Sequence, residues 1–281
     1  MTGSGLSPRR SARRLAIASA LLACAGFAVP ATATAEAGAA PNAAAPNAAA
    51  PPAAAPAPAP FDVLQLDLCR AGAPGCSSDE TSVDASIDVL RQRKPALVTL
   101  NEVCAHDITK MSSATGYHAE FTPARDAAGA PAPCSDGRGD YGIAVLAHPD
   151  LGAVTGEVTE RVFAAQDGGE EHQVMLCAPF SGLAACTSQL SEHDPETAAR
   201  QCGELTGAAG ALSRPTVLGG DLNLRRGGTP DVTDCVPSGW WRTGDGGVQH
   251  VLGTADYGLR GSRQLPVPGT DLPGLLVALN R

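Results

Sequence analysis

The sequence predicts an α+β layered sandwich with helices outside and sheets within, and three observations carry that reading. Strand-like and helix-like periodicities alternate from Phe61 onward, several apolar strands end on an acidic or polar residue, and the 221 residues from Phe61 to Arg281 are enough for one sizeable core. Two segments come before that domain. Arg9, Arg10, Arg13 and Arg14 precede the apolar run Leu15–Val29 and the small residues Ala33-Thr34-Ala35, so residues 1–35 read as an export signal. That run is shorter than the roughly 20 residues a spanning helix needs, so no transmembrane segment is expected. Cys24 in Leu21-Leu22-Ala23-Cys24 leaves lipid anchoring as a minor alternative to secretion. Residues 36–60 are nearly all Ala and Pro, a composition that blocks helix propagation and gives a semi-stiff tether.

The elements of the domain follow in order. FDVLQLDLC (61–69) alternates as a strand, SVDASIDVLRQRK (82–94) reads as a capped helix, and PALVTLNEVC (95–104) as a buried strand. YGIAVLAH (141–148), EHQVMLCAP (171–179) and LAACTSQL (183–190) are strands, and DPETAARQCGELTGAAGAL (194–212) is the longest helix. PTVLGGDLNL (215–224), VQHVLGT (248–254) and LPGLLVAL (272–279) complete a strand-rich second half. His106 and His193 read as loop residues, and His118, His148 and His172 as surface or loop. His250 reads as an interior residue, because strand neighbours face opposite ways and it adjoins Gln249.

Charge and cysteines narrow the function classes. Without the four signal arginines, 16 basic residues face 29 acidic ones, a formal charge of −13. Tight unassisted binding of long nucleic acid needs a basic surface, so this balance argues against it. Discounting Cys24, eight cysteines remain, an even number that suits up to four disulfides in an exported protein. None has CxxC zinc spacing. Cys177 and Cys186 flank a short segment between neighbouring strands and are expected to be bridged.

Acidic or polar residues close the strands at Asp67, Glu102, Asp221, Asn223 and Asp271. In order and spacing, LNEVC, YGIAVL, GGDLN and TDLPGLLV resemble the endonuclease/exonuclease/phosphatase superfamily, which spans deoxyribonucleases, abasic-site endonucleases, inositol polyphosphate phosphatases and sphingomyelinases. The resemblance runs through the whole domain 61–281 and implies a four-layer αββα sandwich with its site at one edge of the two sheets. It also implies that Glu102, Asp67 and Asp271 hold Mg²⁺ (or Mn²⁺), a hard cation suited to oxygen ligands. Asp221 would orient the attacking water and Asn223 hold the phosphate, the two sharing a strand face by their alternate spacing.

The same resemblance marks losses. Gln189 in TSQL and Leu272 after Asp271 stand where the family has histidines, and Gln249 stands where it has the carboxylate partner of the second. Ile143 replaces an Asn. An imidazole titrates near neutrality and moves protons; glutamine and leucine cannot replace that. The implied function is a weak or inactive secreted phosphoesterase that retains a cation and phosphate pocket. An active Mg²⁺-dependent phosphodiesterase or nuclease using metal-bound hydroxide is one alternative, and an extracellular binding module is the other. The implied partners are a phosphate-containing small molecule, a lipid headgroup or nucleic acid. Arg225 and Arg226 meet an anionic ligand or form a solvated turn, Trp240 and Trp241 pack in the core or form a patch, and Arg138-Gly139-Asp140 matches an integrin-recognition tripeptide.

Overall fold

Strands that are apolar on both faces have to be covered on both faces, and that requirement organises the molecule. The computed structural model describes residues 60–70, 79–134 and 137–280, all within one unit spanning Ala54–Arg281. The expected export signal and tether lie outside the described residues. The chain runs β1 (Phe61–Asp67), α1 (Thr81–Arg93), β2 (Leu97–Cys104), α2 (Ala105–Thr115), β3 (His118–Pro123), β4 (Arg125–Asp126) and β5 (Tyr141–Ala147). It continues through β6 (Thr159–Val162), β7 (Glu171–His172), β8 (Val174–Phe180), β9 (Leu183–Gln189), α3 (Pro195–Gly210) and β10 (Thr216–Asp221). The last strands are β11 (Trp241–Gly244), β12 (Gln249–Gly253), β13 (Gly258–Leu265) and β14 (Gly274–Asn280).

Two six-stranded sheets form, in the orders β13-β14-β1-β2-β5-β3 and β11-β12-β10-β9-β8-β6, beside a small β4–β7 ribbon. Each large sheet holds one parallel pair, β1 with β2 and β9 with β10, and the intervening α1 and α3 supply the crossovers that parallel strands require. Alternation along β1 sends Val63 and Leu64 to different cores. Val63 packs with Leu97, Val145, Leu176, Val217 and Val277 between the sheets. Leu64 packs with Val83, Ile87, Leu90 and Met111 beneath α1 and α2. A third core, including Met175, Leu218, Leu252, Ala198 and Leu205, joins the second sheet to α3. Helices, sheet, sheet and helix therefore stack as the expected four-layer sandwich. Each fully buried Leu or Val side chain contributes about 1.5–3 kcal/mol, so all three interfaces hold the layers together.

Most predicted strands and helices form within a residue or two of their expected limits, but the strand expected over 215–224 stops three residues early at Asp221, and the one expected over 171–179 forms as β7 and β8. Asp194 caps α3, accepting from Glu196 N at 3.1 Å, with Pro195 in the first helical turn. Six elements had no strong signal: α2, β3, β4, β6, β11 and β13. His106 is therefore on α2 rather than in a loop, and His118 and His172 lie on strands. Cys177 and Cys186 are paired across β8 and β9 as expected. Cys104–Cys134 and Cys202–Cys235 are also bonded, and Cys69 is in a disulfide as well. Trp240 and Trp241 are both partly buried against hydrophobic cores. No helix among the described residues is long and apolar enough to cross a membrane.

Candidate active site

The ends of β1, β2, β9 and β10 meet at one rim, because the two parallel pairs point their C-terminal ends to the same edge. Asp67 closes β1, and its Oδ1 accepts from Cys69 N at 2.8 Å. Glu102 sits two residues from the end of β2, where the pairing with β5 slips between Leu100 and Val103. Its φ of 50° is a left-handed conformation that a non-glycine residue adopts at a cost of about 1–3 kcal/mol. Such a bulge redirects a side chain out of the regular alternation. The strain is held in place by Leu68 N on Asn101 O at 3.0 Å and Arg70 N on Glu102 O at 3.1 Å.

Across the intersheet gap, Asp221 ends β10, and its backbone N–H donates to Asn101 Oδ1 at 2.8 Å. Asp221 and Asn223 do not share a strand face: β10 stops at Asp221, and Asn223 turns back with φ 48°. Asn223 N instead donates to Asp221 Oδ1 at 2.9 Å, and its Nδ2 to Leu190 O at 2.9 Å. Asp271 is exposed in the loop before β14. Gln189 Nε2 donates to Glu102 Oε1 at 2.8 Å, which ties the end of β9 to the bulge of β2. Gln249 is buried and donates to Pro273 O at 2.7 Å, securing the loop that contains the half-buried Leu272.

Sequence reasoning missed the polar bridge beneath this rim. Thr99 Oγ1 donates to Gln65 Oε1 at 2.5 Å, and Gln65 Nε2 donates to Asn101 Oδ1 at 2.7 Å and to Gln249 Oε1 at 3.5 Å. Asn101 Nδ2 is buried without a hydrogen-bond partner. The sheets approach so closely here that a Cβ on Gly219 would lie 2.3 Å from Thr99 Oγ1. The signal was present in LQLD and VTLNE, where polar residues interrupt strands whose other positions are apolar. Ile143, on neighbouring β5, is buried in the intersheet core.

Burial and mutual repulsion set the rim's protonation. Burial first, then Glu102, Asp221 and Asp271, raises the Asp67 carboxyl well above its usual range. Burial, with Glu102, Asp245 and Asp271, pushes Asp221 up to about 7. Asp67, Glu102, Asp221 and Asp271 thus share one electrostatic neighbourhood although they come from four separate segments.

Residues 75–271 match the Endonuclease/Exonuclease/phosphatase family. The chain belongs to that family. No curated protein matches, but solved structures share its fold. A mannosyl-6-phosphatase of Bacteroides thetaiotaomicron aligns at TM-score 0.61 and 11% identity, covering 78% of this chain and 99% of that one. An endonuclease/exonuclease/phosphatase from Beutenbergia cavernae aligns at 0.63 and 17%, covering 79% and 71%. The human Nocturnin catalytic domain with bound sulfate aligns at 0.60 and 15%, covering 78% and 94%.

Endonuclease/exonuclease/phosphatase enzymes generally use divalent metals, and the donor chemistry of this rim fits one. Its carboxylates are hard oxygen ligands, and burial, helped by neighbouring carboxylates, holds Asp67 and Asp221 toward the protonated form. Among the described residues, however, no three His, Cys, Asp or Glu side chains form a ready ligand set. A cation bound at Glu102 and Asp67 would complete its shell from other oxygens, water included, as Mg²⁺ commonly does. Beside Glu102 opens a cleft of about 120 Å³ lined by Tyr141, Asp167, Glu171, Glu192 and His193. Burial, then Glu102, Glu192 and Asp167, lifts Glu171 to about 7. Burial and the same kind of repulsion raise the Tyr141 phenol. His193 is in a loop as expected and exposed, its Nε2 3.3 Å from Glu192.

Proposed function

We propose that this is an exported member of the family that retains a Mg²⁺ or Mn²⁺ pocket but hydrolyses phosphoesters weakly or not at all. Glu102 and Asp67 would hold the cation, with Asp271 as an outer carboxylate, and the cation would offset charge on a bound phosphate. Asp221 would orient water and Asn223 would steady the phosphate. The observation that carries the reading is the bond from Gln189 to Glu102. The residue where the family resemblance expects a proton-moving histidine is a glutamine engaged with a carboxylate, and it has no proton to exchange near neutral pH. Gln249 and Leu272 support it, since one is bonded to a backbone carbonyl and the other is aliphatic. Export is supported by the N-terminal pattern and by the disulfides, which persist in oxidising compartments.

His193 favours a second reading, an active metal-dependent phosphodiesterase, because an imidazole does line the Glu102 cleft. A panel of phosphodiester and phosphomonoester substrates, assayed with and without Mg²⁺ or Mn²⁺, separates the two. The first reading expects turnover near background and unchanged in Asp221→Ala. Brisk metal-stimulated turnover lost in both Asp221→Ala and His193→Ala would overturn it in favour of the second.

A further inference from the structure

A second polar cleft, of about 260 Å³, opens against β11 and β12 and is lined by Arg226, Arg242, Thr243, Gly244, Gly247 and His250. Its charge is opposite to that of the rim. In a chain with a large excess of carboxylates, neither Arg226 nor Arg242 is within ion-pair distance of one among the described residues. The carboxylate that acts most strongly on Arg242 is Asp231, and both its oxygens are already engaged. Oδ1 accepts from Thr233 N at 2.8 Å and Oδ2 from Gly227 N at 2.7 Å. Asp245, also nearby, accepts from Gly247 N through Oδ1 at 2.7 Å. The two guanidinium groups repel each other: burial first, then the charge of Arg226, lowers the pKa of Arg242.

One guanidinium is oriented from beneath. His250 Nε2 is 2.8 Å from Leu224 O, an acceptor only, so that nitrogen carries the proton. His250 Nδ1 is then the acceptor for Arg242 Nη1 at 2.7 Å. Burial and the neighbouring Arg242 lower the imidazole pKa and keep it neutral in this role. The fit leaves no slack, since a Cβ on Gly244 would lie 2.4 Å from His250 Nδ1. Neighbours alternate along a strand, so His250 and Gln249 leave β12 on opposite faces, and the cleft is separate from the rim that Gln249 supports.

We propose that this cleft is a metal-independent binding site for a tetrahedral oxyanion, phosphate or sulfate, gripped by the guanidinium groups of Arg226 and Arg242. Two positive charges held together without a counter-ion are stabilised by an anion, and the planar fork of Arg matches the oxygens of such an ion. The volume admits one such ion with its water, whereas the net negative charge of the chain disfavours a long polyanion.

The test is calorimetric titration of the full chain at pH 7.5 in EDTA, with inorganic phosphate and sulfate in separate runs and a single-stranded oligonucleotide in a third. EDTA removes any cation from the rim, so the result does not depend on the phosphoesterase reading. Saturable one-to-one binding of phosphate, sulfate or both is expected, weakened at least about tenfold in Arg242→Gln, as loss of a charge-assisted contact implies. Arg226→Gln, at an exposed position, should weaken it several-fold and decides the matter if Arg242→Gln fails to fold. Arg263→Gln, on exposed β13, should leave it unchanged. Absence of saturable phosphate and sulfate binding would overturn the proposal, as would affinity unaltered by the Arg226 change. Binding of the oligonucleotide alone, lost in the same variants, would also overturn it in favour of a nucleic-acid surface.

Discussion

Two clusters of buried charge stand on either side of Glu102, and they have opposite internal economies. On one side Asp107 is fully buried on α2, with Arg70 Nε at 3.2 Å from Oδ2 and Arg138 Nη2 bonded to Oδ1. On the other side Asp67 and Asp221 are also buried, but the groups that act on them are carboxylates. The first cluster is neutralised within the chain and fastens the loop after β1 to α2, which steadies the backbone at Glu102. The second has no such compensation. A fold that can pair a buried Asp with two arginines leaves Asp67 and Asp221 among carboxylates, which add to burial in raising both pKa values; the first cluster serves stability, and the second is the one that the proposed cation would relieve.

That contrast is tested most severely by Asp107→Ala. Removing the carboxylate takes the ion-pair partner from Arg70, whose side chain is 3% exposed, and breaking such a buried pair costs about 3–5 kcal/mol. Thermal melting should fall by roughly 10 °C, since 1 kcal/mol corresponds to about 2–4 °C in a domain of this size. A fall of less than about 2 °C would mean that the two clusters are energetically alike. The same pairing bears on Arg138-Gly139-Asp140, because Arg138 is committed to Asp107 rather than displayed for an integrin.

The next largest effect concerns catalysis. Restoring proton-moving groups with Gln189→His, Leu272→His and Gln249→Asp together should raise Mg²⁺-dependent phosphodiester turnover by about 10²-fold or more, within the range for general acid–base catalysis. The triple change is needed because an Asp at 249 without an imidazole partner would add another unpaired buried charge. If the triple variant folds, binds Mg²⁺ and is no faster than the parent, the lack of an imidazole at positions 189 and 272 is not what limits this site.

How much of this was legible depends on how strongly each residue is constrained by its neighbours in sequence. β1, β2, β8, β9, β10 and β14 are central strands whose two buried faces demand continuous apolar runs, so they were readable. β6 and β13 are edge strands, and residues such as Glu160, Arg161, Arg260 and Arg263 face water; edges are kept charged, which erases the alternation. α2 carries two serines and three of its residues are threonine-like or β-branched in AHDITKMSSAT, so it owes its helicity to Ile108 and Met111 packing under the sheet. The site's acids were visible as strand-terminal residues. The bulge that turns Glu102, the left-handed Asn223 and the Gln65–Thr99–Asn101 bridge were not, because each depends on contacts between segments far apart in the chain.

A smaller effect follows from the frustrated cluster itself. Asp221→Asn removes a group that burial and its neighbours make hard to ionise, and metal-free protein at pH 8 should gain on the order of 1–2 kcal/mol, or a few °C in Tm. The amide oxygen can still accept from Asn223 N, so the local turn survives. A loss of stability at pH 8 would show that Asp221 serves as a structural anion, which would erase the distinction between the two clusters.

The smallest effect, and the sharpest in sign, is the pH dependence of the cation response. Asp221 has a folded pKa raised to about 7 from the ordinary 3.8, and Asp67 is displaced in the same direction. Between about pH 4 and 7 the folded chain therefore binds more protons than the unfolded one, and the rim's contribution makes metal-free stability decline as pH rises through that window. Above about 7 Asp221 is ionised and its share of the penalty is complete. A divalent cation must compete with the Asp221 proton at pH 5 but not at pH 8. Millimolar Mg²⁺ should accordingly raise Tm by about 2–4 °C at pH 8, equivalent to about 1 kcal/mol, and by less at pH 5. In Glu102→Gln the gain at pH 8 should disappear, whereas in Asp107→Asn, if that variant folds, it should persist, because Asp107 already has its cations.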